Sequence, residues 1–181
     1  ALNYGLKKCK GKYIAILDSD DISSKNRLLK QVNFLDKNLR SNIVGSKTIL
    51  IDQHGKKLKD FFIPNSHKDL NKKMIFDNYL PHSSVMFRKE FLKKIGYFYP
   101  KKFKYAQDYA LWLKFLVHTD INVLPIKLTK CRVTNDNMTN SKKYDRIRAF
   151  EMIKNNLYSL KSFKLSYYEK ILLIFKIKKR F

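Results

Sequence analysis

Apolar and polar positions along the chain form short blocks of differing period. Residues 1–9 pattern as the tail of a helix, with Gly11 placed as its C-cap glycine. Tyr13-Ile14-Ala15-Ile16-Leu17 is an unbroken apolar run. It reads as a buried strand of a parallel sheet and ends on the acidic turn Asp18-Ser19-Asp20-Asp21. Ser23 or Ser24 is positioned to N-cap the next helix, in which Leu28, Val32 and Leu35 recur at i, i+4 and i+7. This opening predicts an α/β unit with its polar turn at the carboxyl end of a strand, the edge where open α/β sheets bind ligands.

Further along, residues 43–51 and about 56–62 predict two strands joined by the turn Asp52-Gln53-His54-Gly55. A short helix follows over about 67–77, with Leu70 and Met74 on one face. Ser83 to Phe87 predicts another strand, and Lys89–Ile95 a helix stopped by Gly96. A stronger helix is expected over 107–118, where Leu111, Phe115 and Leu116 make a stripe beside Trp112. Residues 121–133 are rich in β-branched side chains and read as extended, and two helical patterns follow at about 144–160 and 167–178. There is no internal repeat and no Gly/Pro-rich linker.

The 181 residues suit one domain, or one with a small appendage, and 44% hydrophobic with 14% aromatic content excludes simple disorder. The net charge of +24 leaves three partner classes open: nucleic acid, an anionic membrane, or a phosphorylated small molecule. Cys9 and Cys131 are the only cysteines, so there is no zinc ribbon or disulfide framework, and both are expected as buried free thiols. No apolar run approaches the ~18 residues of a membrane span. The first residues read as the middle of a helix with no capping residue before it, which points to a preceding segment.

Chemistry concentrates in three places. Three carboxylates within Asp18-Ser19-Asp20-Asp21 repel one another unless a cation offsets their charge. Mg²⁺ typically uses one or two carboxylates and completes its shell with waters and substrate phosphates. The spacing is not that of an EF-hand loop, and turn or N-cap chemistry accounts for one of the aspartates. Gln107-Asp108-Tyr109 opens a helix, where an acid is favoured by the macrodipole alone. Pro81-His82-Ser83-Ser84 precedes a strand and either lines a cleft or forms an ordinary loop.

The stretches Ala-Leu-Asn-Tyr-Gly-Leu (1–6), Lys-Gly-Lys-Tyr-Ile-Ala (10–15), Leu-Asp-Ser-Asp-Asp (17–21), Asn-Arg-Leu-Leu-Lys-Gln-Val (26–32), Leu-Pro-His-Ser-Ser-Val-Met-Phe-Arg-Lys (80–89) and Ala-Gln-Asp-Tyr-Ala-Leu-Trp-Leu (106–113) occur in order. Together they resemble the family 2 glycosyltransferases with the GT-A fold, over residues 1 to about 135. The resemblance implies an α/β fold, a partial GT-A (Rossmann-like) mixed sheet flanked by helices. Residues 1–140 would form that domain without its N-terminal nucleotide-binding part, and residues 141–181 a basic C-terminal helical segment.

It also implies roles. Asp18 and Asp20 would lie at the diphosphate of a nucleotide-diphosphate-sugar donor. Asp20 would be the Mg²⁺ or Mn²⁺ ligand, with Asp18 toward the ribose or the metal's water shell, and Asp21 would support them. Asp108 matches the acidic position assigned as general base, which takes the proton of an acceptor hydroxyl on a saccharide or lipid-linked acceptor in an inverting displacement. His82, Ser83, Gln107 and Trp112 are the candidates for the acceptor cleft, although Trp112 reads more readily as core than as a sugar platform, and Arg132 would contact the diphosphate.

Two positions depart from the family pattern. Gln107 stands where Glu is common, and Thr134 stands where many relatives carry His. The reading is thus of a metal-dependent enzyme of surface polysaccharide or glycolipid synthesis, placed in the cytoplasm and peripheral on the membrane. The rival readings are a non-catalytic remnant and a nucleic-acid-binding module. Nucleic acid is not the expected partner, because no basic patch interleaved with aromatics occurs. In the last forty residues, net charge +9, Tyr167–Phe181 mixes Ile171, Leu172, Ile174, Phe175 and Ile177 with lysines. It reads equally as an interfacial helix on an anionic membrane or as a helix packed on the domain with a solvated tail.

Overall fold

The computed structural model describes residues 1–96, 98–134 and 145–180. In chain order the elements are α1 (Leu2–Lys8), β1 (Tyr13–Ala15), β2 (Ile22–Ser23), α2 (Arg27–Lys37), β3 (Ile43–Ile51), β4 (Lys57–Asp60) and α3 (His67–Met74). A 3₁₀ turn at His82–Ser84, β5 (Met86–Arg88), α4 (Lys89–Ile95), α5 (Gln107–Leu116), β6 (Ile121–Arg132), α6 (Asp145–Ser162) and α7 (Tyr167–Lys178) complete them. The domain boundary expected at 140/141, the start of the helix expected from 144 and the terminal Phe181 lie outside the described residues.

The sheet runs β1-β5-β3-β6-β2, with β4 paired to the distal half of β3. Among the described residues only β3 and β6 pair in parallel, from Ile43 opposite Ile121 to Ile51 opposite Arg132; the other pairings are antiparallel. This corrects the reading of Tyr13–Leu17 as a strand of a parallel sheet. β1 is an edge strand of three residues antiparallel to β5, and Leu17 is exposed. An apolar run reports burial but not strand direction.

The pleat divides the core. Ile43 and Phe87 point into the larger cluster beneath α5, where Phe87, Phe91, Trp112 and Phe115 meet mostly edge-to-face, with Phe87 and Phe115 centroids 5.3 Å apart. Their neighbours Val44 and Met86 point to the other face and pack with Leu35 of α2. Leu70 and Met74 of α3 are buried as expected, and α4 stops at Gly96, which adopts φ +65°.

Several local expectations fail for identifiable reasons. Cys9, not Gly11, closes α1, its N–H donating to the Gly5 carbonyl. Asn26, rather than Ser23 or Ser24, precedes α2, because Ser23 is held in β2 against Thr129. The inward face of α2 is Arg27, Gln31 and Leu35, while Leu28 is exposed. Cys9 and Cys131 are free thiols but half-buried rather than buried.

Arg27 is 1% exposed, and among the described residues no carboxylate pairs with it. Its Nη2 donates to the carbonyls of Ile16 (2.8 Å) and Val85 (3.1 Å), and its Nε to Gln31 Oε1 (3.0 Å). Gln31 Nε2 in turn donates to the carbonyls of Ser84 (2.7 Å) and Val44 (3.3 Å). Burial lowers the guanidinium pKa from 12.5 to about 10, which leaves it charged at neutral pH. Arg27→Leu strands these buried acceptors, and denaturant unfolding is expected to show a loss of about 2–4 kcal/mol.

Candidate active site

A pocket of about 620 Å³ opens at the edge where β2 begins and β3 and β6 end. The β2–β6 pairing sets Cys131 and Arg132 beside the acidic turn: the Arg132 backbone N–H donates to Asp21 Oδ1 at 2.8 Å. The Arg132 side chain donates to the carbonyls of Asp20 (3.0 Å), Asp52 (2.9 Å) and Gln53 (2.7 Å). Arg132 therefore holds two loops of the pocket rim together. Cys131 also faces Asp21, and burial together with that carboxylate raises its thiol pKa, so the thiol is protonated at neutral pH.

Across the pocket floor Asp18 meets the turn after Pro81. His82 Nδ1 lies 2.9 Å from Asp18 Oδ1, the Asp18 N–H donates to Ser83 Oγ at 2.9 Å, and His82 Nε2 lies 2.9 Å from the Tyr99 hydroxyl. Burial disfavours the imidazolium, but the hydrogen bond to Asp18 and the charges of Asp108, Asp18 and Asp21 outweigh it and raise the His82 pKa. Burial likewise opposes the Asp18 carboxylate, and His82 and Ser83 outweigh it and lower its pKa.

Asp108 occupies the first turn of α5, where the helix dipole favours a carboxylate. Burial raises its pKa, with His82, the Tyr109 N–H and Asn78 opposing; Asn78 Nδ2 donates to Asp108 Oδ2 at 2.9 Å. No side chain caps α5 from within its own segment. The loop leading into it is held from α6 instead. Buried Glu151 accepts the N–H groups of Lys104 (2.7 Å), Tyr105 (2.8 Å) and Ala106 (2.9 Å), and Asn155 Nδ2 donates to the Ala106 carbonyl at 3.2 Å. One carboxylate from the C-terminal region thus fixes the loop that delivers Asp108.

Asp18, Asp20, Asp21, His82, Ser83, Asp108 and Arg132 all line this one pocket. Gln107 does not line it. Trp112 is fully buried against Phe87 and Phe115, its ring centroid 6.1 Å from that of His82, so it is core behind the site rather than cleft wall. Asn78, Tyr99 and Glu151 were not foreseen. Asn78 and Tyr99 lie outside regular elements, and Glu151 sits on a helix face whose polarity reads as solvent-exposed.

Among the described residues no group of three or more His, Cys, Asp or Glu is arranged as a metal cage. Asp18 is engaged by His82 and Asp21 by the Arg132 N–H, while the Asp20 side chain takes no hydrogen bond from a described residue. Such oxygen donors fit a hard divalent cation that takes one or two carboxylates and draws its remaining ligands from substrate phosphates.

A model of the family described as Glycosyl transferase family 2 matches residues 1–96. The chain belongs to that family. This family 2 chain is 39% identical over 117 residues to the O-antigen biosynthesis glycosyltransferase WbnJ of Escherichia coli, a match covering 64% of this chain and 44% of WbnJ. It is 32% identical over 152 residues to the amylovoran biosynthesis glycosyltransferase AmsE of Erwinia amylovora, covering 82% of this chain and 55% of AmsE. The chain thus spans about half the length of these relatives. Its fold is that of S. aureus TarS 1-349, solved in complex with UDP-GlcNAc: TM-score 0.68 at 19% identity, over 98% of this chain and 51% of that one. The mixed sheet flanked by helices is accordingly a GT-A architecture.

Glu151→Gln keeps the side-chain shape but sets an amide against three N–H donors. Unfolding measurements are expected to show a loss of about 1–3 kcal/mol, and Glu151→Asp a smaller one.

Proposed function

We propose that this glycosyltransferase pocket transfers a sugar, with inversion, from a nucleotide-diphosphate-sugar to a hydroxyl of a saccharide or lipid-linked acceptor in surface polysaccharide or glycolipid synthesis. The observation that carries the reading is Asp108, a carboxylate of raised proton affinity facing the same pocket as Asp18, Asp20 and Asp21. The names of WbnJ and AmsE support a polysaccharide product, and the UDP-GlcNAc complex of TarS supports the donor class.

In this mechanism Asp108 accepts the acceptor hydroxyl proton while that oxygen attacks the anomeric carbon from the face opposite the leaving group. One C–O bond forms, the sugar–phosphate bond breaks, and its electron pair leaves with the nucleoside diphosphate. A single displacement inverts the anomeric centre. Burial lifts the Asp108 pKa above that of an ordinary carboxyl, which makes its deprotonated form a stronger base. Asn78 orients one of its oxygens. Asp20, with Asp18 beside it, would hold Mg²⁺ or Mn²⁺ at the diphosphate. Held by these carboxylates, such a cation would supply Lewis-acid neutralisation of the charge that grows on the leaving group. His82, whose pKa Asp18 raises against the opposing effect of burial, stands on the same wall.

The test is Asp108→Asn, assayed with UDP- and GDP-sugars. Turnover is expected to fall by about 10²–10⁴-fold while calorimetric donor binding persists. The activity of the unsubstituted protein should rise with pH through an acid limb above the ordinary carboxyl value of 3.8, because the base must be deprotonated and its pKa is raised. Retained turnover in Asp108→Asn would remove Asp108 as the base, and product with retained anomeric configuration would exclude the single displacement.

A further inference from the structure

Helix α7 turns Lys176 and Leu173 inward, followed by Arg180 just past its end, and most of its other apolar residues outward. Lys176 Nζ lies 2.8 Å and Arg180 Nη2 3.2 Å from Asp77 Oδ2, Arg180 also donates to Asn156 Oδ1, and Leu173 is buried. The opposite face presents Tyr167, Tyr168, Ile171, Leu172, Ile174 and Phe175, with Tyr167 82% and Phe175 59% exposed. A surface helix of a globular protein ordinarily turns the other way, and a contiguous apolar face of this kind marks an interaction site.

We propose that this face docks the protein on an anionic lipid surface, with α7 lying in the plane of the interface. Charge identifies the occupant. Lys164, Lys170, Lys178 and Lys179 are exposed on or next to α7. The one acid of the helix, Glu169, is spent on the capping box with Ser166. A second copy of a chain with net charge +24 would set this lysine rim against its own likeness, whereas anionic headgroups supply the opposite sign. Lysine stems lie along apolar surface while their ammonium groups reach headgroups, and tyrosine rings suit the headgroup level. At twelve residues α7 is too short to cross a bilayer, and no described helix is long and apolar enough to do so. Arg180, just beyond the end of α7, also lines the pocket, so the helix that would dock is anchored at the pocket wall.

The experiment is co-sedimentation with vesicles of phosphatidylcholine alone and of phosphatidylcholine with about one-third phosphatidylglycerol. The protein is expected to sediment with the second and not the first, and added salt should weaken that binding. Ile171→Asn with Phe175→Asn, both outward-facing, should abolish it with unchanged circular dichroism, and Tyr167→Ser with Tyr168→Ser serves if that pair unfolds. Lys178→Ala with Lys179→Ala should weaken partition about 25-fold, at about fivefold per lysine, while Lys93→Ala with Lys94→Ala on α4 should leave it in place. Equal loss in the α4 variant, full partition by the Asn variant, or a concentration-dependent dimer that the Asn substitutions dissolve in a protein that ignores vesicles would each overturn the proposal. The readout is partition, so it stands or falls apart from sugar transfer.

Discussion

The pocket depends on a buried guanidinium that ties two strand ends together. β1 leads into the acidic turn and β5 follows the histidine turn; both are three-residue strands near one edge of the sheet. Their short ladder does little to fix where the turns sit. Arg27 does so by donating to Ile16 on one side and Val85 on the other, and Gln31 extends the clamp to Ser84 and the central strand at Val44. Removing a cation from water is costly unless its donors are used, and here backbone carbonyls rather than a carboxylate use them. Asp18 and His82 are brought within hydrogen-bond distance as a consequence.

The second support comes from the far end of the chain. Loops that line a pocket have backbone groups with no ladder to join, and these must find side-chain partners. Glu151 and Asn155 satisfy the turn before α5, Asn156 donates to the Phe76 carbonyl at 3.1 Å, and Lys176 and Arg180 hold Asp77. Particular polar side chains of α6 and α7 therefore lie inside, where the pocket loops supply their partners. The same demand drives the apolar face of α7 outward. One packing choice thus accounts for both the rigidity of the Asp108 loop and the exposed surface beside it.

Much of the framework is legible in local sequence patterns. The apolar run ending on three aspartates, the Gly96 stop, the Leu70 and Met74 stripe and the helix that begins with Gln107-Asp108 are local patterns. Each depends on period, capping or backbone freedom, and each corresponds to an element in the fold. The faces of α2, α6 and α7 were not readable in this way. Periodicity assigns apolar residues to the inside, whereas Arg27, Gln31, Glu151 and Asn156 are buried because particular carbonyls and N–H groups elsewhere in the chain await them. Trp112 shows the converse, an aromatic that could stack on a sugar but instead fills the core behind His82.

Sequence alone settled which residues carry charge, where helices and strands begin and end within a few positions, and the family to which their order points. These follow from interactions within a turn or two of the chain, or from the motif order itself. Tertiary structure decided that β1 runs antiparallel at an edge, that Asp18 engages His82 some sixty positions away, that Glu151 holds the loop before α5 from a different element, and that α7 turns its apolar face to the outside. Each of those is a pairing between distant groups whose free energy depends on burial and mutual geometry, and neither quantity is defined until the chain has folded.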